Sequence, residues 1–259
     1  MASAPQSLPL FYNTLEPLSS DAHANFKVRP ATGATFLANQ HAIPLTIDEF
    51  AMAQRHMPII FSQGDDAVPL ALMGLNEGIN VFIDENGLLR DSYTYIPAYV
   101  RRYPYLLAKL QPEAEELTLC FDPTSPTIGD FDDGEPLFKD GEATDVVKNI
   151  LEFSKQFEEA GARTAAFMNE LRELDLLMDG EVTIQPEESD KPFLYSGFQM
   201  INEEKLTALR GDQLRKITQS GLLPLIYAHL FSLQVMREIF ARQVQLGLMP
   251  APQAPQLAE

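Results

Sequence analysis

Residues 59–75 read IIFSQGDDAVPLALMGL, and this stretch decides the predicted fold. It contains two apolar runs, 59–62 and 68–75, on either side of a turn that begins at Gly64. Short apolar runs bounded by turn residues are typical of strands. Two strands joined by such a short turn predict a β-hairpin, and with it an antiparallel sheet.

More strand and helix signals surround this hairpin. Asn86-Gly87 is a strong hairpin-turn signal, because both residue types tolerate positive φ. Thr46 and Glu49 have the Thr-x-x-Glu spacing of a capping box, which predicts the start of a short helix. The other predicted strands of this part are residues 8–12, 26–28, 80–84 and 117–121.

The pattern changes after residue 121. Residues 122–145 are rich in glycine, proline and acidic side chains, so they predict a loop. From residue 146 onward apolar residues recur at helical spacing, and Gly161 is predicted to separate two helices. The remaining predicted elements are two short strands, 181–184 and 193–198, and two helices, 203–220 and 222–245.

These patterns predict an α+β fold in one structural domain. Its parts are a mostly antiparallel, sheet-rich N-terminal part (1–121), an acidic loop (122–145), a helical C-terminal part (146–248) and a disordered tail (249–259). We expect the helix from Leu222 to be the central buried element, because its first turns carry apolar residues on every side.

The composition limits the partners. With 45% hydrophobic and 22% charged residues, the chain has the composition of a packed globular protein. Its net charge of −18 argues against nucleic acid and anionic membranes. A charge of this sign favours basic proteins, cationic peptides or metal ions as partners, and the alternative is that it serves only solubility. A protein or peptide partner is therefore possible. The N-terminus lacks the features of a signal peptide, and residues 222–236 are too short and too polar for a membrane span. We therefore expect a soluble, cytoplasmic protein whose oligomeric state the sequence leaves open.

Motifs for common catalytic and cofactor chemistry do not occur in the chain. It has no dinucleotide-binding, P-loop, serine-hydrolase or zinc-protease pattern, so we expect no cofactor and no metal. The acidic run 130–135 fails the EF-hand spacing, because Gly134 stands fifth instead of sixth, and a solvated loop is expected. Cys120 lies in an apolar run and is expected to be a small buried hydrophobe.

Two histidines are candidates for chemistry. His23 is a possible general base, although no nucleophile or carboxylate is tied to it by spacing. His229 lies in the most apolar helix, where a histidine is more often a hydrogen-bonded core residue than a catalyst.

Residues 95–105 read YIPAYVRRYPY and form the most unusual segment of this acidic chain. Arginine binds carboxylates through its planar fork, and tyrosine offers flat contact area and a hydroxyl. The segment predicts a pocket for an anionic group, such as a peptide carboxylate. The alternative is that the arginines neutralise acidic groups of the chain itself, such as the loop at 130–135. The predicted binding residues are Arg101, Arg102, Tyr99, Tyr103 and His23.

The same segment carries a family resemblance. The chain resembles the SapC-like family of bacterial proteins, and residues 95–105 are the most specific part of the likeness. The other segments that carry it are 23–28, 44–50, 56–61, 74–75, 80–84, 134–138 and 226–233. It covers most of residues 8–240 and departs at Leu88-Leu89, where relatives are expected to have tryptophan. The peptide-transporter permease of similar name is a membrane protein, and no segment here matches its spans.

The resemblance implies an accessory role in place of a defined reaction. Family genes lie beside genes for flavin-dependent, tryptophan-halogenase-like and cupin-like proteins, which implies that the chain presents a peptide or aromatic substrate to a halogenase-like partner. One alternative is an enzyme with a non-obvious active site built on His23 or His229, and another is a surface-layer-associated structural protein. Convergence of these histidines with Arg101 and Arg102 in one pocket would favour the enzyme, whereas an exposed apolar patch would favour a binding protein.

Overall fold

The computed structural model describes residues 8–111, 116–185 and 192–248, and the predicted tail at 249–259 lies outside them. The chain forms two compact units, each made of two separate stretches. The first unit contains Met1–Gly33 and Ala98–Gly161, and the second contains Ala34–Pro97 and Ala162–Glu259. The units therefore alternate along the chain.

The α+β prediction is confirmed, with antiparallel sheets mainly in the N-terminal part and helices mainly in the C-terminal part. The strands of the described residues are β1 (Glu16–Pro17), β2 (Lys27–Val28), β3 (Ala42–Pro44), β4 (Ile59–Phe61), β5 (Pro69–Leu72), β6 (Tyr105–Ala108), β7 (Thr118–Phe121), β8 (Ile128–Gly129), β9 (Glu135–Pro136), β10 (Phe138–Lys139), β11 (Glu142–Ala143), β12 (Leu177–Ile184) and β13 (Phe193–Ile201). The α-helices are α1 (Phe50–Ala53), α2 (Ala98–Arg101), α3 (Asp145–Glu173), α4 (Glu203–Thr207), α5 (Gly211–Gln219), α6 (Leu222–Ser232) and α7 (Met236–Gln245). Short 3₁₀ turns occupy Thr35–Leu37, Ile47–Glu49 and Leu233–Val235.

The described residues of the first unit form three small antiparallel sheets. Their strand orders are β1-β7-β6, β8-β2-β9 and β10-β11. The strand predicted at 117–121 is β7, the middle strand of the first sheet, and Cys120 is buried in it as expected. Phe121, Leu137 and Val147 belong to one apolar core, so the start of α3 packs with these strands.

The second unit is built on a five-stranded antiparallel sheet of order β12-β13-β4-β5-β3. The hairpin predicted from residues 59–75 is confirmed, since Ile59 pairs with Ala71 and Phe61 with Pro69. Ile60 and Leu72 share an apolar core with Met236 and Phe240 of α7. The sheet is completed by β12 and β13, which come after α3 in the sequence, so the C-terminal part also supplies strands.

The predicted capping box at Thr46 is confirmed. The Thr46 backbone N and Oγ1 donate to Glu49 Oε2 over 3.0 Å and 2.8 Å, and the Thr46 side chain caps the backbone at Glu49 in return. These bonds satisfy donors at the helix start that have no partner within the helix. The chain then passes through a 3₁₀ turn into α1.

The prediction of a helix break at Gly161 is wrong. α3 runs through this residue without interruption for 29 residues, and no other group lies within 4 Å of the position that a Cβ would take there. A glycine inside a helix costs only about 1 kcal/mol relative to alanine. The good helix formers around it offset this cost. The helix ends just before Asp175, whose φ of 54° is left-handed.

Two further segments differ from the prediction. Residues 8–12 form a turn instead of a strand, because Phe11 has a φ of 83° and the Tyr12 N donates to the Pro9 carbonyl oxygen. Residues 203–220 form two helices, α4 and α5, because the backbone at Arg210 is extended and starts a new helix. The Gln213 side chain accepts a hydrogen bond from the Arg210 N at that start.

The predicted strand at 80–84 is a loop with one isolated bridge, between Ile83 and Leu89. Asn80 prevents a regular ladder, because its Oδ1 accepts from the backbone N of both Phe82 and Ile83. The turn at Gly87 is present, with a φ of 77°.

α6 is buried on one face only, which corrects the prediction that it is enclosed on every side. Ile226 and His229 have no exposed surface and Leu230 keeps 8%, whereas Tyr227 is 42% exposed and Phe231 is 65% exposed. The helix packs against α1, α5, β4 and β13. These neighbours cover one side, and the other side stays open in the described part of the chain.

Within residues 8–111, 116–185 and 192–248, none of the helices combines the length and the apolar character needed to cross a membrane.

Candidate functional site

The predicted binding segment folds into the short helix α2, a turn, and strand β6. The turn sends neighbouring side chains in different directions. Arg101, at the end of α2, is exposed, whereas the Arg102 side chain keeps only 10% of its surface accessible. The two arginines therefore cannot be treated as one equivalent pair.

The Arg102 guanidinium lies between two aromatic rings of the first unit. Its Cζ is 4.3 Å from the centre of the Tyr99 ring and 4.4 Å from that of Phe157 on α3. Tyr12 is a third neighbour at 6.0 Å. Distances of this kind give cation–π attraction, which is strongest where water is excluded. Arg102 thus joins α2 to α3.

Arg102 has an acidic partner inside its own unit. Its Nη1 is 3.6 Å from Glu158 Oε1, on the helical turn that also carries Phe157. Burial raises the pKa of the Glu158 carboxyl, and the charge of Arg102 lowers it in part. The predicted internal partner was the loop at 130–135, but the structure places Glu158 there. The Arg102 Nε is buried and has no hydrogen-bond partner in the described part of the chain.

Three tyrosines around Arg102 are held in their protonated form. Burial raises the pKa of Tyr12 and of Tyr103, and the Asp122 carboxylate adds to the effect at Tyr103. Asp122 is fully buried and accepts hydrogen bonds from the Asn13 N over 2.8 Å and from Thr124. Burial also raises the pKa of Tyr105. Tyr12 donates its hydroxyl hydrogen to the Tyr105 carbonyl oxygen over 2.7 Å, whereas the buried Tyr105 hydroxyl has no hydrogen-bond partner among the described residues.

Rings connect Tyr99 and Tyr103 into the same cluster. Phe11 makes edge contacts with both, at 5.6 Å and 6.2 Å between ring centres, and Tyr12 contacts Tyr103 at 5.3 Å. Arg101 lies over the Phe153 ring, with its Cζ 5.4 Å from the ring centre. The structure therefore brings Arg102, Tyr99 and Tyr103 together among aromatic side chains. The positive charge of this group belongs to Arg102, and it already faces Glu158.

His23 has its own set of contacts in the first unit. Its Nδ1 accepts from the Ser19 backbone N over 3.1 Å, so the proton lies on Nε2, which donates to Glu16 Oε1 over 3.3 Å. The ring makes edge contacts with Phe26 and Phe121. This pattern is that of a buried histidine that orders a turn.

His229 is a fully buried residue of the second unit. Its Nδ1 donates to the Ile59 carbonyl oxygen over 2.8 Å, and its Nε2 accepts from the Ile201 N over 3.1 Å. The ring stacks on Phe61 at 4.6 Å. Burial lowers the pKa of His229 to about 4, although the hydrogen bond to Ile59 opposes this. Both nitrogens are occupied by backbone groups, as expected for a core histidine.

Two basic side chains contact the acidic run at 130–135. Lys27 Nζ donates to the Asp132 carbonyl oxygen over 2.7 Å, and Arg29 pairs with Asp133 at 3.5 Å while it stacks on Phe131. Across the three described ranges, no three His, Cys, Asp or Glu side chains come together in a way that could hold a metal ion.

A surface that the sequence patterns did not reveal lies on the open side of α6. Tyr227 and Phe231, one helical turn apart, stack on each other at 5.7 Å with both rings accessible. We call these two residues the α6 surface. The i, i+4 spacing was visible in the sequence, but the surrounding leucines made the whole helix resemble a buried one. The feature that distinguishes this side is Pro224-Tyr227-Phe231-Gln234, a stripe that is exposed at every position.

Replacing Arg102 tests whether the arginine cluster is structural. We expect Arg102→Ala to lower the free energy of unfolding by roughly 1–3 kcal/mol, because it removes two ring contacts and a largely buried side chain. Arg101→Ala, the matched control at an exposed position, should stay within about 0.5 kcal/mol of the wild type. Arg102→Lys should not restore stability, because lysine has no planar face. Denaturant unfolding is the measurement. If the Arg102→Ala variant had wild-type stability, Arg102 would not be needed for folding, and a role in ligand binding would be favoured instead.

Comparison with known proteins identifies one family. The family model described as SapC matches residues 18–239, which include the predicted binding segment 95–105, both buried histidines and the α6 surface. No curated protein and no solved structure matches the chain.

Proposed function

The chain belongs to the SapC family, and we propose that it is a binding or accessory protein that holds a peptide or a partner protein on the α6 surface. The observation that carries this proposal is the stacked pair of accessible rings, in which Phe231 is 65% exposed on a helix whose other face lies in the core. Aromatic side chains are enriched at the energetic centres of protein interfaces.

The geometry of the rings supports a binding role. Phe231 follows Leu230, which is buried, so the backbone of α6 is fixed by the core while the next side chain is presented to solvent. Aromatic side chains lose little conformational entropy on binding and contribute large contact areas, which is why they are common at interface centres. The α6 surface therefore combines a rigid support with the residue types that carry binding energy.

The histidines support the enzyme alternative less well. His229 uses both ring nitrogens on backbone groups, and His23 uses its own on Ser19 and Glu16. A general base needs a free nitrogen within reach of a substrate proton. The halogenase-like protein implied by the family resemblance is, in this proposal, one candidate for the partner that the chain holds in the cytoplasm.

Capture of partners from the native host tests the proposal. We expect tagged wild-type protein, expressed in the cytoplasm, to recover a defined set of proteins or peptides that a Tyr227→Ser/Phe231→Ser variant loses. Mass spectrometry of proteins and small ligands identifies what is bound. Because both rings are exposed, the variant should keep the melting temperature of the wild type.

Tyr93→Ser provides the matched control. Tyr93 is 87% exposed on a loop of the second unit, so its replacement removes an accessible aromatic ring elsewhere. This variant should recover the same partners as the wild type. Recovery of an unchanged set by the Tyr227→Ser/Phe231→Ser variant would contradict the proposed role of the α6 surface.

A further inference from the structure

The charge of the chain is divided unevenly along the sequence. From residue 205 to residue 248 there are six basic and two acidic side chains, whereas the rest of the chain has thirteen basic and thirty-five acidic ones. The six basic residues are Lys205, Arg210, Arg215, Lys216, Arg237 and Arg242. The two helices that flank α6, namely α5 and α7, each carry two basic side chains and one acidic side chain, and are thus net positive in a strongly acidic protein.

Two of these charges are available to a partner. Arg215 on α5 and Arg237 on α7 are exposed, and neither forms an ion pair with any residue of the described ranges. By contrast, Lys216 pairs with Glu170 at 2.8 Å and Arg210 pairs with Asp212 at 3.0 Å. Aromatic rings together with accessible arginines are the composition that is enriched at interface hot spots.

The size of the α6 surface limits what it can hold. A large aromatic side chain has on the order of 200 Å² of surface, so the exposed fractions of Tyr227 and Phe231 together present about 200 Å². A stable interface between two folded proteins needs about 800 Å² from each partner. The pair therefore matches the anchor of a short segment better than a large interface between subunits.

Charge also distinguishes between the possible occupants of the α6 surface. Pairing of two copies through the same face would place positive segments against each other, and two chains of net charge −18 repel each other in general. An anionic membrane would be repelled by most of the chain. A short acidic segment is attracted to residues 205–248 and repelled by the remainder, which directs it to this region.

We infer that the α6 surface binds a protein segment in which an apolar side chain, seated on Tyr227 and Phe231, is flanked by carboxylates that face the basic residues of α5 and α7. This inference rests on the proposed function and adds the chemistry of the partner.

Two synthetic peptides test the inference. Both are labelled amphipathic helices with the same leucine and tryptophan face, and they differ only in having glutamate or lysine at the flanking positions. Fluorescence anisotropy with the full chain should show binding of the glutamate peptide, at least about tenfold tighter than binding of the lysine peptide. Raising the salt from about 50 mM to about 500 mM should weaken the glutamate complex, because screening reduces the attraction.

Variants separate the two parts of the idea. The Tyr227→Ser/Phe231→Ser variant should bind the glutamate peptide about tenfold or more weakly than the wild type. The Arg215→Ala/Arg237→Ala variant should lose only the salt-dependent part of the affinity. The Tyr93→Ser variant should bind as the wild type does. If both peptides bind with equal affinity and both lose binding when Phe231 is replaced, the inference of an acidic partner is wrong, whereas the proposed function stands.

Other outcomes also overturn the inference. Peptide binding that survives loss of both rings would remove the α6 surface from the proposed function as well. A failure of both peptides to bind at about 1 mM would exclude the acidic segment. Sedimentation that detects a dimer in the wild type and a monomer in the Tyr227→Ser/Phe231→Ser variant would assign the surface to a second copy of this chain instead.

Discussion

Leu230→Ala is expected to destabilise the protein by roughly 2–5 kcal/mol, whereas the same change at the next residue, Phe231→Ala, should alter stability by no more than about 0.5 kcal/mol. Leu230 is 8% exposed and Phe231 is 65% exposed, although they are adjacent on one helix. Truncating the buried leucine removes apolar contacts and leaves a cavity. Truncating the exposed phenylalanine removes a ring that mainly faces water.

Phe231→Ala is the matched control for Leu230→Ala. Both replace a large apolar residue by alanine in α6, so any effect of helix propensity is favourable in each and small. Denaturant unfolding at one pH gives both values. A loss below about 1 kcal/mol for Leu230→Ala would place α6 at the periphery of the second unit, and a large loss for Phe231→Ala would show that the ring packs against the chain itself.

The sequence predicted those parts of the fold in which local pattern and tertiary packing agree. Ile59 to Leu72 is apolar around a compact turn, and it forms the β4–β5 hairpin at the centre of the five-stranded sheet. Thr46 and Glu49 form the expected capping box because that motif needs only residues three positions apart. Gly161 misled the prediction, because glycine lowers helix stability by too little to end a helix whose ends are fixed by packing.

The candidate site was predictable in composition but not in geometry. The two arginines and their tyrosines are evident in residues 95–105, yet the partner of Arg102 is Glu158, more than fifty positions away on α3. No local spacing encodes such a pairing. The exposure of Phe231 was equally hidden, because a helix with apolar residues on all sides does not reveal which side the rest of the chain covers. That information lies in the packing of α6 on α1, α5, β4 and β13.

His229 shows how a residue that is a catalytic candidate by type becomes a structural one by position. The Ile59 carbonyl oxygen and the Ile201 N are groups of strands β4 and β13, and the imidazole bonds to both. Ser232 extends the arrangement, since its Oγ donates to the His229 carbonyl oxygen and accepts from the Ile59 N. The neutral ring, with one donor and one acceptor, fits this position, and the protonated ring does not.

Acid should therefore weaken the wild type more than a His229→Gln variant. The pKa of His229 is about 4 in the folded protein and 6.5 when unperturbed, so the unfolded chain binds a proton at higher pH than the folded one. The stabilisation by the neutral ring is complete above pH 6.5 and is lost as the pH falls toward 4, which amounts to about 3 kcal/mol. Glutamine keeps a donor and an acceptor but does not titrate. It should cost stability at every pH, and the difference from the wild type should shrink by about 3 kcal/mol between about pH 7 and pH 4. Denaturant unfolding across this range measures the difference, and titrations common to both proteins cancel. If the free energies of unfolding of the two proteins changed in parallel with pH, the folded protein would not disfavour protonation of His229.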